Sequence, residues 1–547
     1  MSAEFSGPSE RQPTTARPPT DGRAVVMGAA LLHLRQESIP DALAQLATVA
    51  AQVPAVMWAT DDGVGQLTWS ELYDRARRGA ARLLSVNPTR SRVAIAAMNS
   101  VDWIVAMYAC AVGGMPVVPI SASGTEDEAR YQIDYARVGL VLAAAEAGGH
   151  RVLERMRGVA ATAAARPHVH DISQLESADV ADPAVTSPDA EFLVQYTSGT
   201  TGRPKAASIS HRAALNCASV FMRAVGFEPG DRFLNPLPLH HVGGSVTGLI
   251  ATLAGGGTYI LVERFSPQAV MYAVRRTQPT IAGLVPTMMV DLLNVPGACP
   301  ADFASLRTLM GGAAAVDPGL IVEMENRLGI NIIGAYGQSE APAIIASAPD
   351  DPAAVRVQTL GRVLVGRDCC IRDGSGAIVP VGSDGELFVR GPLTMSGYLR
   401  SDGELDPAVD AEGWRGTGDL CTMDSAGIVT FRGRIREVVI RGGLNVYPAE
   451  VEQAVSAHPS VSEVAVFGVA DARLGERVVA AVIPASDTTP DPGELSALAD
   501  LRLSSYKRPT EWLVVAKMPR TSTGKVRKHL LREWYEQGTL YAECGGN

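Results

Sequence analysis

Residues 92–120 read RVAIAAMNSVDWIVAMYACAVGGMPVVPI, and this stretch predicts the fold class. Its two ends are short apolar runs typical of buried strands, and the segment from Val101 to Val112 is long enough for a helix before Gly113 interrupts it. No charged residue occurs from Trp103 to Ile120. The glycines and Pro116 nevertheless divide that segment into pieces too short to span a membrane. The stretch therefore predicts a strand–helix–strand unit.

Strand-like and helical patterns alternate over residues 40–435, with further strand candidates at 258–262 and 281–284. This alternation predicts a large α/β domain whose β-sheets are covered by helices on both faces. After residue 360 the pattern changes to short β segments separated by Gly and Asp, which predict a small β-barrel-like part; these segments are 370–372, 385–390 and 428–431. The block from Arg434 onward predicts a small α+β domain with the order strand, helix, strand, strand, helix.

The composition of the chain argues against several classes of function. The chain has 547 residues and a formal net charge of −10, so no general positive field attracts nucleic acid. The first 25 residues are rich in Pro, Ser and Thr and contain no apolar signal-peptide core, so we predict a disordered tail and a cytoplasmic protein. None of the seven cysteines forms a CxxC pair, so no zinc site is indicated. The predicted units are 1–25 (tail), 26–435 and 436–547.

A second motif, Tyr196–Lys205 (YTSGTTGRPK), follows the apolar strand at 192–194 and precedes a helical segment that begins near His211. Its hydroxyls and backbone N–H groups can surround a polyphosphate, the glycines allow close approach, and the lysine adds a positive charge. A flexible Ser/Thr/Gly loop is the plainer alternative. The ordinary P-loop does not match, because Pro204 precedes the lysine and no Ser or Thr follows it.

This decapeptide closely resembles the phosphate-binding signature of the adenylate-forming (AMP-binding) superfamily. That superfamily includes acyl- and aryl-CoA synthetases, peptide-synthetase adenylation domains and firefly luciferase. Further motifs occur in the family's order over residues 40–530, so the chain is identified as a member of the acyl-/aryl-CoA synthetase type. The resemblance implies an N-terminal adenylation domain, a mobile C-terminal domain with a catalytic lysine, and the use of ATP, Mg²⁺ and CoA.

Several segments resemble the family's nucleotide motifs. In GAYGQSE (334–340) the resemblance places Tyr336 against adenine and Glu340 on Mg²⁺, a role suited to a carboxylate beside phosphates. The segment GGAA (311–314) resembles the other wall of the adenine slot. Asp419 in GTGDL matches the ribose-binding aspartate, and Arg434 matches the arginine at the ribose and phosphates. The nucleotide-binding residues expected from the resemblance are Thr197, Ser198, Gly199, Thr200, Thr201, Gly202, Lys205, Gly312, Ala313, Ala314, Tyr336, Gly337, Gln338, Ser339, Asp419, Arg434 and Lys525.

Lys525, in PRTSTGK (519–525), matches the family's catalytic lysine. Adenylation brings a carboxylate onto the α-phosphate, and a lysine between these two anions reduces their repulsion. Taken alone, Lys525 would be a loop lysine in a basic segment. With Lys205 and Glu340 it completes the expected catalytic set.

The segment PLHHVGG (238–244) resembles the motif beside the acyl pocket, with His241 as a substrate-side or gating residue rather than a general base. No further metal ligands are spaced with His240 and His241. The expected substrate-binding residues are His241, Gly283, Gly311 and Gly312. Nothing resembles the aspartate that binds an α-amino group, which favours an acid without one. Fatty, aromatic and polycyclic natural-product acids all fit.

The expected reaction is activation of a carboxylic acid to acyl-AMP with release of pyrophosphate, followed by thioester formation with CoA. By resemblance Arg436 is the hinge, and Arg441, Gly442 and Gly443 contact CoA. An acyl-AMP ligase that serves a carrier protein or a partner enzyme is the main alternative. A non-catalytic nucleotide-binding relative is disfavoured because Lys525, Glu340 and Asp419 are all present. A homodimer is compatible with the sequence.

Overall fold

The computed structural model describes residues 14–176, 178–197, 204–312, 318–485, 488–520 and 525–545. The strands, numbered in chain order, are β1 (Val25–Met27), β2 (Pro54–Thr60), β3 (Gly63–Thr68), β4 (Val93–Ala96), β5 (Val117–Ile120), β6 (Leu140–Ala143), β7 (His168–Asp171), β8 (Glu191–Thr197), β9 (Lys205–Ser210), β10 (Arg232–Leu234), β11 (Thr258–Ile260), β12 (Ile281–Leu284), β13 (Thr308–Gly312), β14 (Ile332–Gln338), β15 (Ala341–Ala346), β16 (Gly361–Val363), β17 (Asp368–Arg372), β18 (Gly385–Arg390), β19 (Gly397–Leu399), β20 (Leu405–Asp406), β21 (Arg415–Met423), β22 (Ile428–Arg434), β23 (Val439–Arg441), β24 (Leu444–Val446), β25 (Val461–Asp471), β26 (Gly475–Pro484) and β27 (Glu511–Val514).

The helices, numbered in the same way, are α1 (Ile39–Val49), α2 (Trp69–Val86), α3 (Val101–Val112), α4 (Glu126–Tyr135), α5 (Val152–Thr162), α6 (His211–Ala224), α7 (Val242–Gly244), α8 (Ala251–Gly255), α9 (Pro267–Thr277), α10 (Pro286–Leu293), α11 (Pro318–Leu328), α12 (Ala353–Gln358), α13 (Pro448–Ser456), α14 (Pro492–Arg502), α15 (Lys528–Glu536) and α16 (Leu540–Cys544). A π-helical segment, Ser245–Ile250, joins α7 to α8.

The predicted strand–helix–strand unit is confirmed as β4–α3–β5. The hydroxyl of Ser100 accepts a hydrogen bond from Trp103 N at 3.1 Å, which caps the start of α3, and the helix ends before Gly113. Strands β4 and β5 pair in parallel, as a crossover helix requires. Because these signals are local, the helix boundaries match the prediction.

Two sheets with helices between them and on their outer faces form the large domain. The first sheet has fourteen strands in the order β1-β17-β18-β21-β22-β16-β15-β14-β13-β12-β10-β11-β2-β3, and the second has eight in the order β20-β19-β9-β8-β5-β4-β6-β7. One buried cluster joins residues of both sheets to α1, α2, α3 and α6. Along β4, Val93 and Ile95 belong to that cluster, whereas Ala94 and Ala96 pack with α4 and α5 on the opposite face. The helix-covered α/β architecture is therefore confirmed.

The β segments predicted after residue 360 extend the first sheet as an antiparallel arm, through β17, β18, β21 and β22. Residues 14–27 lie against this arm, so the predicted disordered tail is wrong for residues 14–25. Val25 pairs with Cys370, Ala24 is fully buried, and Ala16 N donates to Val363 O at 2.8 Å. The physical reason is that the chain covers an otherwise open sheet edge.

The C-terminal part is a five-stranded sheet in the order β24-β23-β26-β25, with β27 also paired to β26. Helices α13 and α14 pack with Val478, Ala480 and Val482, and α15 and α16 pack with Val479 and Ala481 on the other face. The α+β prediction is confirmed, but β24, α14, β27 and α16 are additional to the predicted order. Helix α14 was missed because only Leu495 and Ala499 of it are buried, which leaves a weak periodic pattern.

Among the described residues, no helix combines the length and apolar character that crossing a bilayer requires.

Candidate active site

A cavity of about 100 Å³ opens where four parallel strands of the first sheet, β10, β12, β13 and β14, reach their carboxyl ends. Ligands bind at this edge in open α/β sheets because the connecting loops converge there. Residues Ala335 to Gln338 form part of the wall, at the end of β14. The lining also includes Phe221, Phe233, Asn235, His241, Thr247, Gly283, Leu284, Met310 and Gly312.

His241 lines this cavity, as predicted for a substrate-side residue. Its Nδ1 accepts a hydrogen bond from Gly243 N at 3.2 Å, which caps α7. Burial, with a smaller contribution from the positive charge of Lys525, lowers the pKa of His241 to about 3. The imidazole is therefore neutral at pH 7, with its proton on Nε2 because Nδ1 is an acceptor. A ring of such low basicity is unsuited to act as a general base.

The glycines of the cavity wall allow two backbone segments to approach closely. A Cβ on Gly337 would lie 2.3 Å from Ala343 N, and one on Gly312 would lie 2.7 Å from Ala335 O. Gly283 and Gly312 line the cavity as predicted. Gly311 is buried in β13 but is not among the lining residues, since neighbouring residues of a strand face opposite sides. Its role in substrate binding stays a prediction.

Asp419 lies at the centre of a hydrogen-bond network beside the cavity and is only 2% exposed. Tyr336 Oη donates to Asp419 Oδ2 at 2.5 Å, and Gln338 Nε2 donates to the same oxygen at 2.8 Å. Arg434, its cross-strand neighbour on β22, places Nε at 3.3 Å from Oδ1. These contacts bring together four residues predicted to bind the nucleotide and give the buried carboxylate the partners it requires.

Glu340 and Lys205 meet through a residue that the sequence did not single out. Tyr398 Oη donates to Glu340 Oε1 at 2.7 Å, and Lys205 Nζ lies 4.8 Å from the centroid of the Tyr398 ring. Tyr398 reaches this position because β19 pairs with β9, with Tyr398 opposite Ala207. That pairing joins residues almost two hundred positions apart, so no local signal could have identified Tyr398.

Lys525 of the C-terminal part lies half-buried in the cleft, where its charge interacts with His241, Glu340 and Asp419. Burial lowers the pKa of Lys525 to about 8, and Arg434 contributes to the lowering. The carboxylates of Asp419, Glu437 and Glu340 act in the opposite direction. The structure therefore assembles the predicted catalytic lysine with the predicted nucleotide residues.

Part of the phosphate-loop prediction lies outside the described residues: Ser198, Gly199, Thr200, Thr201 and Gly202. The same holds for Ala313 and Ala314 of the adenine slot. The two ends of the loop are described. Thr197 and Lys205 stand opposite each other in the β8–β9 ladder, and Tyr131 Oη donates to Pro204 O at 3.0 Å. The loop therefore begins and ends on paired strands at the edge of the site. Ser339 lies in the turn that carries Glu340.

The residues expected at the hinge and at CoA lie away from the cavity lining. Arg436 is exposed in a short 3₁₀ turn after β22. Gly442 and Gly443 have φ values of 60° and 78°, as a two-residue hairpin turn between β23 and β24 requires. Arg441 donates to the backbone oxygens of Tyr506 and Arg508 at 2.9 and 3.2 Å. These contacts show Arg441 supporting a loop of its own domain.

The donor set at Glu340 fits Mg²⁺. Glu340 is a single carboxylate beside Lys205 of the phosphate loop, and only its Oε1 is engaged by Tyr398. Mg²⁺ bound to a nucleotide takes one or two protein carboxylates and fills its remaining positions with phosphate oxygens and water. In the described part of the chain there is no cluster of three or more metal-ligating side chains. The residues therefore suit a metal that arrives with ATP.

Comparisons with known proteins agree with this geometry. The family model for AMP-binding enzymes matches residues 44–399, and that for the AMP-binding enzyme C-terminal domain matches residues 450–525. The chain is 32% identical over 519 residues to the 3-[(3aS,4S,7aS)-7a-methyl-1,5-dioxo-octahydro-1H-inden-4-yl]propanoyl:CoA ligase of Rhodococcus jostii, covering 90% of this chain and 98% of the relative. It is 33% identical over 481 residues to a feruloyl-CoA synthase of an Amycolatopsis species, covering 87% and 95%.

Among solved structures, the crystal structure of ATP-bound MatB from Rhodopseudomonas palustris superposes with a TM-score of 0.82 at 27% sequence identity. The match covers 92% of this chain and all of that one.

Proposed function

We propose a residue-level mechanism from one premise: this chain belongs to the AMP-binding enzyme family. It is an AMP-forming acid–thiol ligase of the acyl-CoA synthetase type, which uses ATP to activate a carboxylic acid and transfers the acyl group to CoA. The observation that carries the mechanism is the position of Lys525, whose charge acts on His241, Glu340 and Asp419 within one cleft.

In the first half-reaction, a carboxylate oxygen of the acid attacks the α-phosphorus of ATP. The new P–O bond forms as the bond to the β-phosphate oxygen breaks, and pyrophosphate leaves. Lys525 lies between the two anions and stabilises the charge that develops on the α-phosphate. Asp419 accepts hydrogen bonds from the ribose hydroxyls, and Tyr336 and Gln338, bonded to Asp419, hold it in that orientation.

Glu340 and the oxygens of ATP would hold Mg²⁺, which supplies positive charge to the departing pyrophosphate when it is bound. Lys205 contributes a second positive charge at the phosphates. Both residues are oriented by contacts with Tyr398. Neutral His241 carries its proton on Nε2, so it serves the acid as a hydrogen-bond donor and takes no proton from it.

In the second half-reaction, the thiolate of CoA attacks the acyl carbon, the C–S bond forms, and AMP leaves with the electrons of the C–O bond. We propose that the C-terminal part, with boundaries at residues 436–547, rotates about Arg436 between the two steps. The glycine pair of the β23–β24 turn would then approach the thiol channel. Arg441 retains its contacts with Tyr506 and Arg508, because all three belong to the part that rotates.

A carrier protein is the rival acceptor, and a homodimer and a cytoplasmic location stay predictions. Purified protein is incubated with MgATP and a panel of carboxylic acids, with and without CoA. Formation of acid-dependent pyrophosphate in both conditions, and of acyl-CoA only with CoA, is expected. ATP binding without acid-dependent pyrophosphate from any acid would contradict the mechanism. Transfer of the acyl group to a phosphopantetheinyl carrier but not to CoA would show that a carrier protein is the acceptor.

A further inference from the structure

The described residues that line the acyl side of the cavity carry no charge. Its walls carry Phe221 from α6, Phe233 from β10, Leu284 from β12 and Met310 from β13. No Asp, Glu, Lys or Arg lines the cavity in the described part of the chain, and His241 is neutral. A second carboxylate or an ammonium on the acyl group would therefore be buried without a counter-charge, which is strongly unfavourable.

The polar side chains of the acyl side are already engaged by the protein. Asn235 Nδ2 donates to Gly243 O at 2.9 Å, and its Oδ1 accepts from Leu237 N at 3.0 Å. Thr247 Oγ1 donates to Gly243 O at 3.2 Å, as a residue within the π-helical segment. These bonds shape the wall, so recognition of the acyl group rests on apolar contact and shape.

The size and shape of the cavity set a further limit. Its volume of about 100 Å³, in an open cavity whose wall also includes the nucleotide residues Tyr336 to Gln338, is of the order of the ~150 Å³ cavity that accepts a benzene ring. Gly283 adds no side chain to the wall beside Phe233 and Met310, where a Cβ would stand in ordinary contact with two ring carbons of Phe233 at 3.4 Å and with Met310 Cε at 3.6 Å. An apolar wall that carries aromatic rings favours a planar ring or a short chain.

Resting on the proposed function, we infer that the acid is a monocarboxylic acid whose acyl group is uncharged, apolar and no larger than a single ring or a short chain. Phe221 limits the size of that group. Dicarboxylates and amino acids are disfavoured by the missing counter-charge, and long-chain acids are disfavoured by the volume.

Matched acids test the charge requirement. Pyrophosphate release is measured with 4-methylbenzoate against terephthalate and with hexanoate against adipate, so that each pair differs by a charge at the far end. We expect kcat/KM to be at least about 100-fold higher for the uncharged member, since the burial of an unpaired charge is unfavourable. Equal use of either dicarboxylate would overturn the inference while leaving adenylation intact. If no acid led to release of pyrophosphate, the proposed function itself would be wrong.

Phe221→Ala and the milder Phe221→Leu test the size limit, with exposed Val290→Ala on α10 as the control. We expect 2-naphthoate to gain about tenfold in kcat/KM relative to benzoate in the Phe221 variants and to be unchanged in the control, because truncation adds room for the second ring. If the ratio of kcat/KM for 2-naphthoate to benzoate is unchanged in both Phe221 variants and their circular dichroism is native, Phe221 does not limit the size of the acyl group. A preference of the parent enzyme for a polycyclic or long-chain acid would also contradict the size limit.

A second inference rests on Tyr398, which joins the two sheets of the large domain at the site. Tyr398 and Lys205 belong to the eight-stranded sheet, whereas Glu340 lies in the turn between β14 and β15 of the fourteen-stranded sheet. The hydroxyl of Tyr398 holds Glu340 Oε1, and its ring lies beside Lys205 Nζ. One side chain thereby sets the distance between the carboxylate and the lysine.

Resting again on the proposed function, the geometry points to Tyr398 as a positioning residue for the metal carboxylate and the phosphate lysine. Its hydroxyl orients Glu340 so that Oε2 faces the phosphates, and its ring keeps Lys205 directed to them through a cation–π contact.

Tyr398→Phe removes the hydroxyl and keeps the ring, and the control Tyr272→Phe removes a hydroxyl that bonds Thr60 O elsewhere. Binding of Mn²⁺ in the presence of a non-hydrolysable ATP analogue is followed by electron paramagnetic resonance. We expect the Mn²⁺ Kd and the Mg²⁺ concentration for half-maximal activity to rise about tenfold in Tyr398→Phe, with an unchanged KM for the acid. Mn²⁺ binding within twofold of the parent would overturn the role of the hydroxyl.

Tyr398→Leu also removes the ring, so we expect a further loss in affinity for the metal-free ATP analogue. Equal affinity of Tyr398→Phe and Tyr398→Leu would overturn the role of the ring.

Discussion

The acyl cavity and the segment that carries Lys525 are held in place by different forces. The cavity is built from strand ends and helices inside the main hydrophobic clusters, where Phe233 is 1% and Leu284 2% exposed. The segment after Lys525 is instead anchored within the C-terminal part by charged contacts, since Lys528 Nζ lies 3.0 Å from Glu437 Oε2 and 2.7 Å from Glu452 Oε1. Close packing makes the cavity rigid, whereas these ion pairs fix the lysine segment to the part of the chain that is proposed to rotate.

This difference assigns separate tasks to the two regions. In the proposed mechanism a rigid cavity selects the acid, because its shape persists through both half-reactions. A lysine fixed to the C-terminal part serves adenylation and then withdraws from the cleft when that part rotates. Substitutions in the cavity should therefore change which acid is used, and substitutions around Lys525 should change the first half-reaction alone.

Lys525→Ala should have the largest effect. We expect acid-dependent ATP–pyrophosphate exchange to fall about 10²–10³-fold, because the charge that stabilises the α-phosphate is lost. ATP binding and conversion of presynthesised acyl-adenylate to acyl-CoA should remain within a few-fold. Exposed Lys517→Ala, in the same domain, is the matched control. Exchange at the parental rate would remove Lys525 from the mechanism.

The pH dependence should follow Lys525. Its charged form is required for adenylation and is present below its pKa of about 8. As pH rises through 8 the amine loses its proton, so kcat/KM for the acid should fall about tenfold for each further pH unit. In Lys525→Arg the side chain stays charged, so the fall in kcat/KM above pH 8 should be absent. A profile that stays flat to pH 10 would contradict the assignment.

Lys528→Met tests the contacts that hold the segment. Removing this charge leaves Glu437 and Glu452 without their common partner, so the lysine segment loses its support. We expect pyrophosphate exchange to fall about tenfold, in line with the loss of a residue that positions a catalytic group. The thioester step from added acyl-adenylate should be unchanged. An equal loss in both half-reactions would indicate a general structural role.

His241→Ala should have the smallest effect on turnover, and it tests the role of the cavity in selecting the acid. We expect the ratios of kcat/KM between different acids to change by about 10-fold or less. The Kd for ATP, measured by calorimetry, should stay within twofold of the parent value. Because neutral His241 lines the acyl cavity, its removal enlarges the pocket and deletes one hydrogen-bond donor. An unaltered acid ranking would show that His241 does not contact the acid.

The parts of the fold that follow local rules were predictable. Helix α3 starts at a Ser100 cap and ends before Gly113, and both signals lie within the helix's own sequence. The position of residues 14–25 was not predictable, because it depends on partners more than 340 residues away, such as Cys370 opposite Val25. Short strand β27 likewise exists only through its pairing with β26.

The residues of the candidate site divide in the same way, into those that local sequence predicts and those that depend on distant partners. Lys205, Glu340, Asp419 and Lys525 stand in short motifs whose residue types suit phosphate, metal and ribose chemistry, so the sequence by itself identified the family and predicted roles for these residues. Tyr398 lies in a strand with no chemical pattern of its own, and its contact with Glu340 depends on how the two sheets meet. The contacts of Arg441 with the backbone oxygens of Tyr506 and Arg508 were likewise visible only in the structure, and its role at CoA stays a prediction from motif resemblance.

The sequence by itself therefore determined the α/β class and the identity of the chemistry and predicted the residues that carry charge to it, because each is encoded in local patterns of residue type and spacing. Only the tertiary structure decided that the acyl cavity has no charged lining among the described residues, that Tyr398 joins Glu340 to Lys205, and that Lys525 reaches the cleft. These features depend on long-range strand pairing and on the burial of side chains from distant segments, which no local pattern encodes.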